Sequence, residues 1–304
     1  MNIYDKIHLI PADITDSRSI AETFQAAQPD EVYNLAAQSF VGVSFAQPLY
    51  TSEITGFSIV RILDEIKRNK NEIKFYQASS SEMYGVEKSL LKNEHTPFHP
   101  ASPYAIAKLY AYWMTNMYRE AYGIYAVNGI LFNHESPLRG LEFVTRKISN
   151  GVAKISLGLD TSLELGNRAA KRDWGYAPEY VEGMWMIMQQ NNPEDYVLAT
   201  GKTNSIQEFV EEACKVAGIS TSKIKSKKEN FRPYDVPYLR GDYSKAERKL
   251  KWKPRTTFRK LVKIMIEEDI NRWQRWQKGE HFPWDAATSG YDSKIVLDAK
   301  KNSP

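Results

Sequence analysis

The order in which short apolar runs and helical patterns alternate through the first 132 residues constrains this chain more than any other feature of its sequence. Ile7-His8-Leu9-Ile10 predicts a short strand ending at Ala12 and Asp13. Asp16 or Ser17 then caps a helix to about Ala27, with Ile20, Phe24 and Ala27 at helical spacing. Glu31–Ala37 reads as a second strand, Tyr50–Arg68 as a helix with Ile59, Ile62, Leu63 and Ile66 on one side, and Ile73–Ala78 as a third strand. A long helix over Ala101–Tyr122 and a strand over Tyr125–Phe132 follow. Strands separated by helices in this way require right-handed crossovers, so the expected class is α/β, with a doubly wound parallel sheet covered on both faces.

The second half is less regular. Strands are expected at Ser162–Leu165 and Tyr196–Ala199, and helices at Pro178–Gln190, Ser205–Ala217, Ser244–Leu250 and Thr257–Lys278. The tail after Trp284 is polar and aperiodic and carries no motif. With 304 residues, 42% of them hydrophobic, the chain can bury one large or two smaller cores. The expected division is a sheet domain over residues 1–137 that takes back about 168–203, and a smaller mixed α/β domain over 138–304.

Charge and cysteine content exclude several classes. A net charge of +4 is modest, and the one dense basic run, Lys223 to Lys228, reads as a solvated face, so no nucleic-acid partner is expected. Cys214, the single cysteine, lies in the apolar run Ile206–Ala217 and is expected to be a buried thiol. That excludes an intrachain disulfide and fits a reducing, cytoplasmic location. No apolar run approaches the roughly 18 residues of a membrane span, and no signal-peptide pattern opens the chain, so no membrane partner is expected.

The chemistry centres on Tyr104-Ala-Ile-Ala-Lys108 in the long helix. An i, i+4 spacing puts both side chains on one face, where an ammonium stabilises a phenolate and makes a base for a hydroxyl proton. The pair follows Ser102-Pro103, which suits a helix start, and comes one crossover after a strand ending in Ser79-Ser80-Ser81-Glu82. The carboxyl ends of parallel strands form the ligand crevice, so Ser80 and Glu82 are candidates for the same site. On residues alone, a strand-end turn for Ser80 and a solvated loop carboxylate for Glu82 stay open.

Several segments together are highly specific. Ala36-Ala37-Gln38-Ser39, Tyr76 to Gly85 (YQASSSEMYG) and Ser102 to Lys108 (SPYAIAK) resemble the extended short-chain dehydrogenases. Leu131 to Pro137 (LFNHESP), Phe143 to Ile148 (FVTRKI), Arg172 to Tyr180 (RDWGYAPEY) and Phe231 to Val236 (FRPYDV) resemble the GDP-mannose 4,6-dehydratases, and the likeness runs from about Asp13 to Lys263. It implies a Rossmann-like fold, a lyase activity on GDP-mannose with NADP as cofactor, and a homo-oligomer, dimer or tetramer. It also implies Ser80, Glu82, Tyr104 and Lys108 as the catalytic group. Cofactor contacts would come from Asp13 and Ile14 at the adenine, from Ala36, Ala37 and Ser39 beside the pyrophosphate, and from Tyr104 and Lys108 at the nicotinamide ribose. Substrate contacts would come from Asn133 with Glu135 beside it, from Val144, Thr145 and Lys147 around guanosine, from Arg172 and Arg232 on phosphate, and from Asp235 on the ribose. Arg172 and Arg232 could instead pair with Asp173 and Asp235 in a supporting role. No metal site is implied.

One departure from the family pattern stands out. No G-x-x-G-x-x-G turn occurs in the sequence, and nothing precedes the strand expected at Ile7. Such a turn normally holds the cofactor pyrophosphate at a helix N-terminus, so a first βαβ unit is expected to be missing and sheet edges exposed. The expectation is an N-terminally truncated form of an active dehydratase, with Met1 an internal methionine or late start site. Two alternatives stay open: another nucleotide-sugar dehydratase or epimerase of this fold, and a non-catalytic GDP-sugar-binding chain lacking cofactor.

Overall fold

A computed structural model describes residues 6–69, 73–227, 234 and 236–280. In chain order, the first elements are α1 (Ser17–Ala27), β1 (Glu31–Asn34), α2 (Val41–Ala46), α3 (Pro48–Thr51), α4 (Ser58–Arg68) and β2 (Lys74–Ser80). Then come α5 (Pro103–Tyr122), β3 (Ala126–Leu131), β4 (Asn133–Glu135), α6 (Val144–Ser156), β5 (Leu163–Leu165), β6 (Lys171–Arg172), β7 (Trp174–Tyr176), α7 (Ala177–Met188) and β8 (Tyr196–Leu198). The last are β9 (Asn204–Ser205), α8 (Ile206–Ala217), β10 (Ile224–Ser226), α9 (Ser244–Leu250) and α10 (Phe258–Gln277).

The chain divides into two compact units, one of residues 1–87, 96–131 and 184–197, the other of residues 88–95, 132–183 and 198–304. The first holds a Rossmann-like sheet in the order β1-β2-β3-β8. Its first two pairings are parallel, Asn34 standing opposite Gln77 and Ser80 opposite Leu131. Helices α1 and α4 pack together through Ile20, Phe24, Ile59, Leu63 and Ile66, and Phe75, Ala111, Tyr118 and Ala126 complete that core. The apolar spacing in α4 therefore does what its sequence predicts: it buries one stripe under the sheet. Gly129 is required because a Cβ there would lie 1.9 Å from the Tyr76 hydroxyl oxygen.

The second unit is built around α6, α8 and α10. Ile148, Val152, Phe209, Val210, Leu261, Val262 and Met265 are all fully enclosed in one core with Trp174 and Cys214. Two-stranded pairings surround it: β5 with β10, β4 with β7, and β6 antiparallel to β9. Helix α8 opens with a reciprocal capping box between Ser205 and Glu208.

Two sequence expectations differ from the structure. Ile7–Ile10 forms no strand, and Ile7 and Leu9 lie exposed, since a four-residue segment without a partner ladder has nothing to hold it extended. The helix expected over Tyr50–Arg68 is interrupted by a π-helical stretch, Ser52–Phe57, before α4 begins. The tail after Trp284 lies outside the described residues. Among the described residues, no helix is long and apolar enough to cross a membrane.

Candidate active site

Within the first unit, the carboxyl end of β2 and the start of α5 carry the four catalytic candidates. Ser80 closes β2 and caps a 3-10 turn over Ser81–Tyr84, its Oγ accepting the Glu82 N–H at 3.2 Å. That cap turns the chain sharply at the strand end and leaves Glu82 buried in the turn. Gly85 ends the turn at φ +49, and a Cβ there would lie 1.9 Å from the His99 carbonyl oxygen. Backbone bonds from His99 to Met83 O and from Val86 to His99 O tie this turn to the segment entering α5.

Helix α5 begins at Pro103 behind Ser102, whose Oγ accepts the Ala105 N–H at 3.1 Å. One turn on, the buried Lys108 ammonium donates to the Ala78 carbonyl at 2.7 Å, two residues before Ser80. It also lies 5.9 Å from the centre of the Tyr104 ring. Burial pushes the Lys108 amine down to about 8. Tyr104 and Lys108 thus share one buried helix face, docked on the strand that delivers Ser80 and Glu82.

Polar pairs that the sequence did not single out brace this strand end. Asn34 donates to Gln77 Oε1 at 2.8 Å, and its own Oδ1 accepts the Ala36 N–H at 3.3 Å. Ser79 Oγ donates to Asn128 Oδ1 at 2.9 Å, and Asp195 takes the Asn128 backbone N–H at 2.8 Å. Arg119 completes the chain, donating to the same Asp195 oxygen at 2.8 Å. The available signal was positional: Asn34 stands two residues before Ala36, and Asn128 interrupts an otherwise apolar strand.

The cofactor candidates fall along the same unit. Asp13 accepts the Thr15 N–H at 2.8 Å and its hydroxyl at 2.7 Å, which holds its carboxyl below the usual range. Ile14 packs against the α1–α4 core. Ala36 and Ser39 are exposed in the loop after β1 and Ala37 is half-buried there, while Thr55 anchors that loop through the Gln38 N–H at 3.0 Å.

The second unit carries the substrate candidates. Asn133 opens β4, opposite Trp174 of β7, and its Oδ1 is buried with no hydrogen-bond partner among the described residues. Glu135 ends β4 fully enclosed; the Thr145 hydroxyl donates to it at 2.6 Å and Arg139 Nε lies 3.4 Å away. Burial raises the Glu135 carboxyl, against the opposing pull of Arg139 and Thr145. The Thr145 hydroxyl hydrogen is thus directed at Glu135, Val144 packs against the core, and Lys147 follows one residue beyond Arg146 in the first turns of α6. Between Asn133 and Glu135, His134 stacks on Tyr180, and burial pushes its imidazole down to about 4.

Arg172 is buried at the end of β6, where Nη1 donates to the Val236 carbonyl at 2.6 Å and the Lys171 carbonyl at 3.0 Å. Its neighbour Asp173 accepts from Thr200 N, Thr200 Oγ1, Gly201 N and Gly241 N at 2.8, 2.6, 2.9 and 3.2 Å. Burial nonetheless pushes the Asp173 carboxyl up to about 6. Arg232 and Asp235 lie outside the described residues. Among the described residues, no group of three or more His, Cys, Asp or Glu side chains could hold a metal ion.

The end of β2 and the start of α5 bring Ser80, Glu82, Tyr104 and Lys108 into one unit, while Asn133 and Arg172 belong to the second. The chain is similar to known proteins in sequence and in fold. The family described as GDP-mannose 4,6 dehydratase matches residues 1–265. The GDP-mannose 4,6 dehydratase of Cricetulus griseus is 47% identical over 286 residues, covering 87% of this chain and 76% of its own. GDP-mannose 4,6 dehydratase 1 of Arabidopsis thaliana is 47% identical over 275 residues, covering 89% of this chain and 75% of its own. Among solved structures, RMD from Pseudomonas aeruginosa complexed with NADPH shares the fold at a TM-score of 0.79 with 22% identity, over 88% of this chain and 93% of that one. A match of this identity and extent settles the family: the chain belongs to the GDP-mannose 4,6-dehydratases.

Proposed function

We propose that the chain removes water from GDP-D-mannose to give GDP-4-keto-6-deoxy-D-mannose. The observation that carries this is the Lys108–Ala78 bond, which docks the Tyr104–Lys108 helix face against the strand ending in Ser80 and Glu82. The names of the relatives support the substrate.

Tyr104 takes the proton of the 4-hydroxyl, with the Lys108 ammonium favouring its phenolate. Ser80 holds the 4-oxygen by a hydrogen bond. Once C4 is a ketone the C5 proton is acidic, and Glu82 removes it. Glu82 then gives that proton to the 6-hydroxyl, which leaves as water. Completing the product takes a hydride at C6, which bound NADP would supply, and a solvent-exchanged proton at C5, which offsets the one Tyr104 took from the 4-hydroxyl. Asn133 holds the diphosphate, and the guanidinium of Arg172 and of Arg232 grips phosphate oxygens. Val144, Thr145 and Lys147 line the guanosine, and Asp235 holds the ribose.

A nicotinamide cofactor is supported at this end of the unit by the buried Lys108 ammonium near Tyr104 and by the small, exposed Ala36 in the loop after β1. Bound NADP supplies reversible hydride acceptance, so the reaction is redox-neutral overall. Tyr104 and Lys108 would hold its ribose, Ala36, Ala37 and Ser39 its pyrophosphate, and Asp13 and Ile14 its adenine. The choice of NADP over NAD is supported by the NADPH held by the Pseudomonas fold relative. A homo-oligomer is supported by the exposed stripe Ile106, Tyr110, Trp113 and Met117 along α5, an apolar face larger than a lone surface residue explains. A reducing cytoplasm suits the lone buried thiol of Cys214.

The test is to incubate the chain with GDP-mannose and NADP and follow the 4-keto-6-deoxy product by mass spectrometry. Product formed by the chain and abolished in Tyr104→Phe supports the assignment. Product formed equally by Tyr104→Phe, or none from the unaltered chain with bound cofactor, refutes it.

A further inference from the structure

Asp173 takes no part in the chemistry above, yet it is fully enclosed and its carboxylate joins three stretches of the second unit. It lies between β6 and β7, and it accepts from Thr200 and Gly201 after β8 and from Gly241. A buried carboxylate is costly unless its lone pairs are filled, and here three backbone N–H groups and one hydroxyl fill them. No apolar side chain of similar size could satisfy those donors.

Its position between β6 and β7 matters more than its bonds alone. Arg172 precedes it, with the guanidinium held on the Val236 carbonyl. Trp174 comes next and pairs in register with Asn133. The segment returning from Val236 is laid along β6 by Lys171 N to Pro237 O at 3.0 Å and Leu239 N to Lys171 O at 3.3 Å. The same segment reaches Gly241, where a Cβ would lie 2.3 Å from the Ala199 Cβ, so its N–H approaches the carboxylate only because no side chain intervenes. Arg240 Nε closes the circuit on the Gly201 carbonyl at 2.7 Å.

We infer that Asp173 is a positioning residue for nucleotide-sugar binding: its carboxylate fixes Arg172 on one side and the Trp174–Asn133 register on the other, setting the separation of the two groups that grip the diphosphate. This rests on the substrate reading given above. It predicts an effect on ground-state grip rather than on the chemical step, since none of the reacting groups is in the second unit's Asp173 circuit.

Asp173→Asn keeps the shape but turns an amide NH₂ toward one or more of the donors. The expected result is a KM for GDP-mannose raised tenfold or more with kcat within about threefold, and a matching rise in the Kd for GDP by calorimetry. Amide exchange at Gly201 and Gly241 should quicken while α6 and α8 stay protected. A folded Asp173→Asn protein with unchanged KM and GDP Kd overturns the inference, as does a fall in kcat at constant KM. Thr200→Val removes one donor and leaves every backbone group in place, so it serves if Asp173→Asn does not fold. It should weaken GDP binding by two- to fivefold, and an unchanged Kd overturns the inference. Failure of the substrate reading looks different: the unaltered chain binds GDP without turning over GDP-mannose, and the Kd comparison still decides. An unaltered chain that binds no GDP overturns both.

Discussion

Lys108 and Ala78 are joined across 30 positions of sequence by a 2.7 Å hydrogen bond from a buried ammonium to a strand carbonyl. The bond costs desolvation of a charge, visible as the fall of the Lys108 amine to about 8. Helix α5 is held against the strand at the point where Ser80 leaves it.

Replacing Lys108 by Met should therefore lower turnover by about 10²-fold or more while leaving GDP binding intact. Its stability effect depends on pH. The folded-state value lies below the unfolded one, so between about pH 8 and 10.5 the unfolded chain binds the extra proton. Stability of the natural chain relative to Lys108→Met should rise with pH across that window and be flat below it. Urea unfolding at pH 7.5 and pH 10 checks the sign, and a falling difference would contradict the buried-ammonium account.

Glu82→Gln should retain GDP-mannose binding and lose about 10²–10⁴ in kcat, because an amide can neither take the C5 proton nor return one to the leaving oxygen. Wash-in of solvent deuterium at C5 is the direct readout. Incorporation at the natural rate in Glu82→Gln would remove this residue from the mechanism.

A second structural test lies in α6 and α10. Arg146 Nε sits 3.0 Å from both Asp269 oxygens, with both side chains essentially sealed from water, and Arg272 Nη1 reaches the same carboxylate at 3.1 Å. Asp269→Ala strands two guanidinium groups and should cost about 3–5 kcal/mol in denaturant unfolding. It should also loosen the loop before α6, since Arg146 and Arg272 donate to the Arg139 and Pro137 carbonyls. The pair of changes Arg146→Met with Asp269→Leu should recover part of that loss.

Gly85→Ala asks for a left-handed backbone and for space that the His99 carbonyl occupies. The expected cost is about 1–3 kcal/mol, together with lower turnover, because the turn that must shift carries Glu82. Thermal melting and kcat measured side by side would show whether the two effects travel together.

Most of the sheet was legible because its signals are local. Ile59, Ile62, Leu63 and Ile66 recur at helical spacing, and each is buried where that spacing puts it. The Tyr104–Lys108 pair was legible for the same reason, since i, i+4 on a helix means one face. Ile7–Ile10 misled because apolar composition alone does not supply a partner strand. The role of Asp173 and the chain from Ser79 through Asn128 and Asp195 to Arg119 were not legible. Their partners lie 27 to 76 positions away, and only tertiary packing brings such distant polar groups together.

The π-helical stretch Ser52–Phe57 has a consequence for how this chain tolerates change in length. A wider turn carries one residue more than an α-helix would over the same rise, so it works as a phase shifter of about 100° between α3 and α4. Within the stretch Thr55 meets the Gln38 N–H and Gly56 lies against Ala107, and beyond it α4 presents its isoleucines to the core. Deleting one residue of Ser52–Ile54 is expected to return the stretch to α-helical phase and to rotate the isoleucine stripe of α4 by about 100° relative to α3. The wide turn acts as a timing element whose length matters more than its composition.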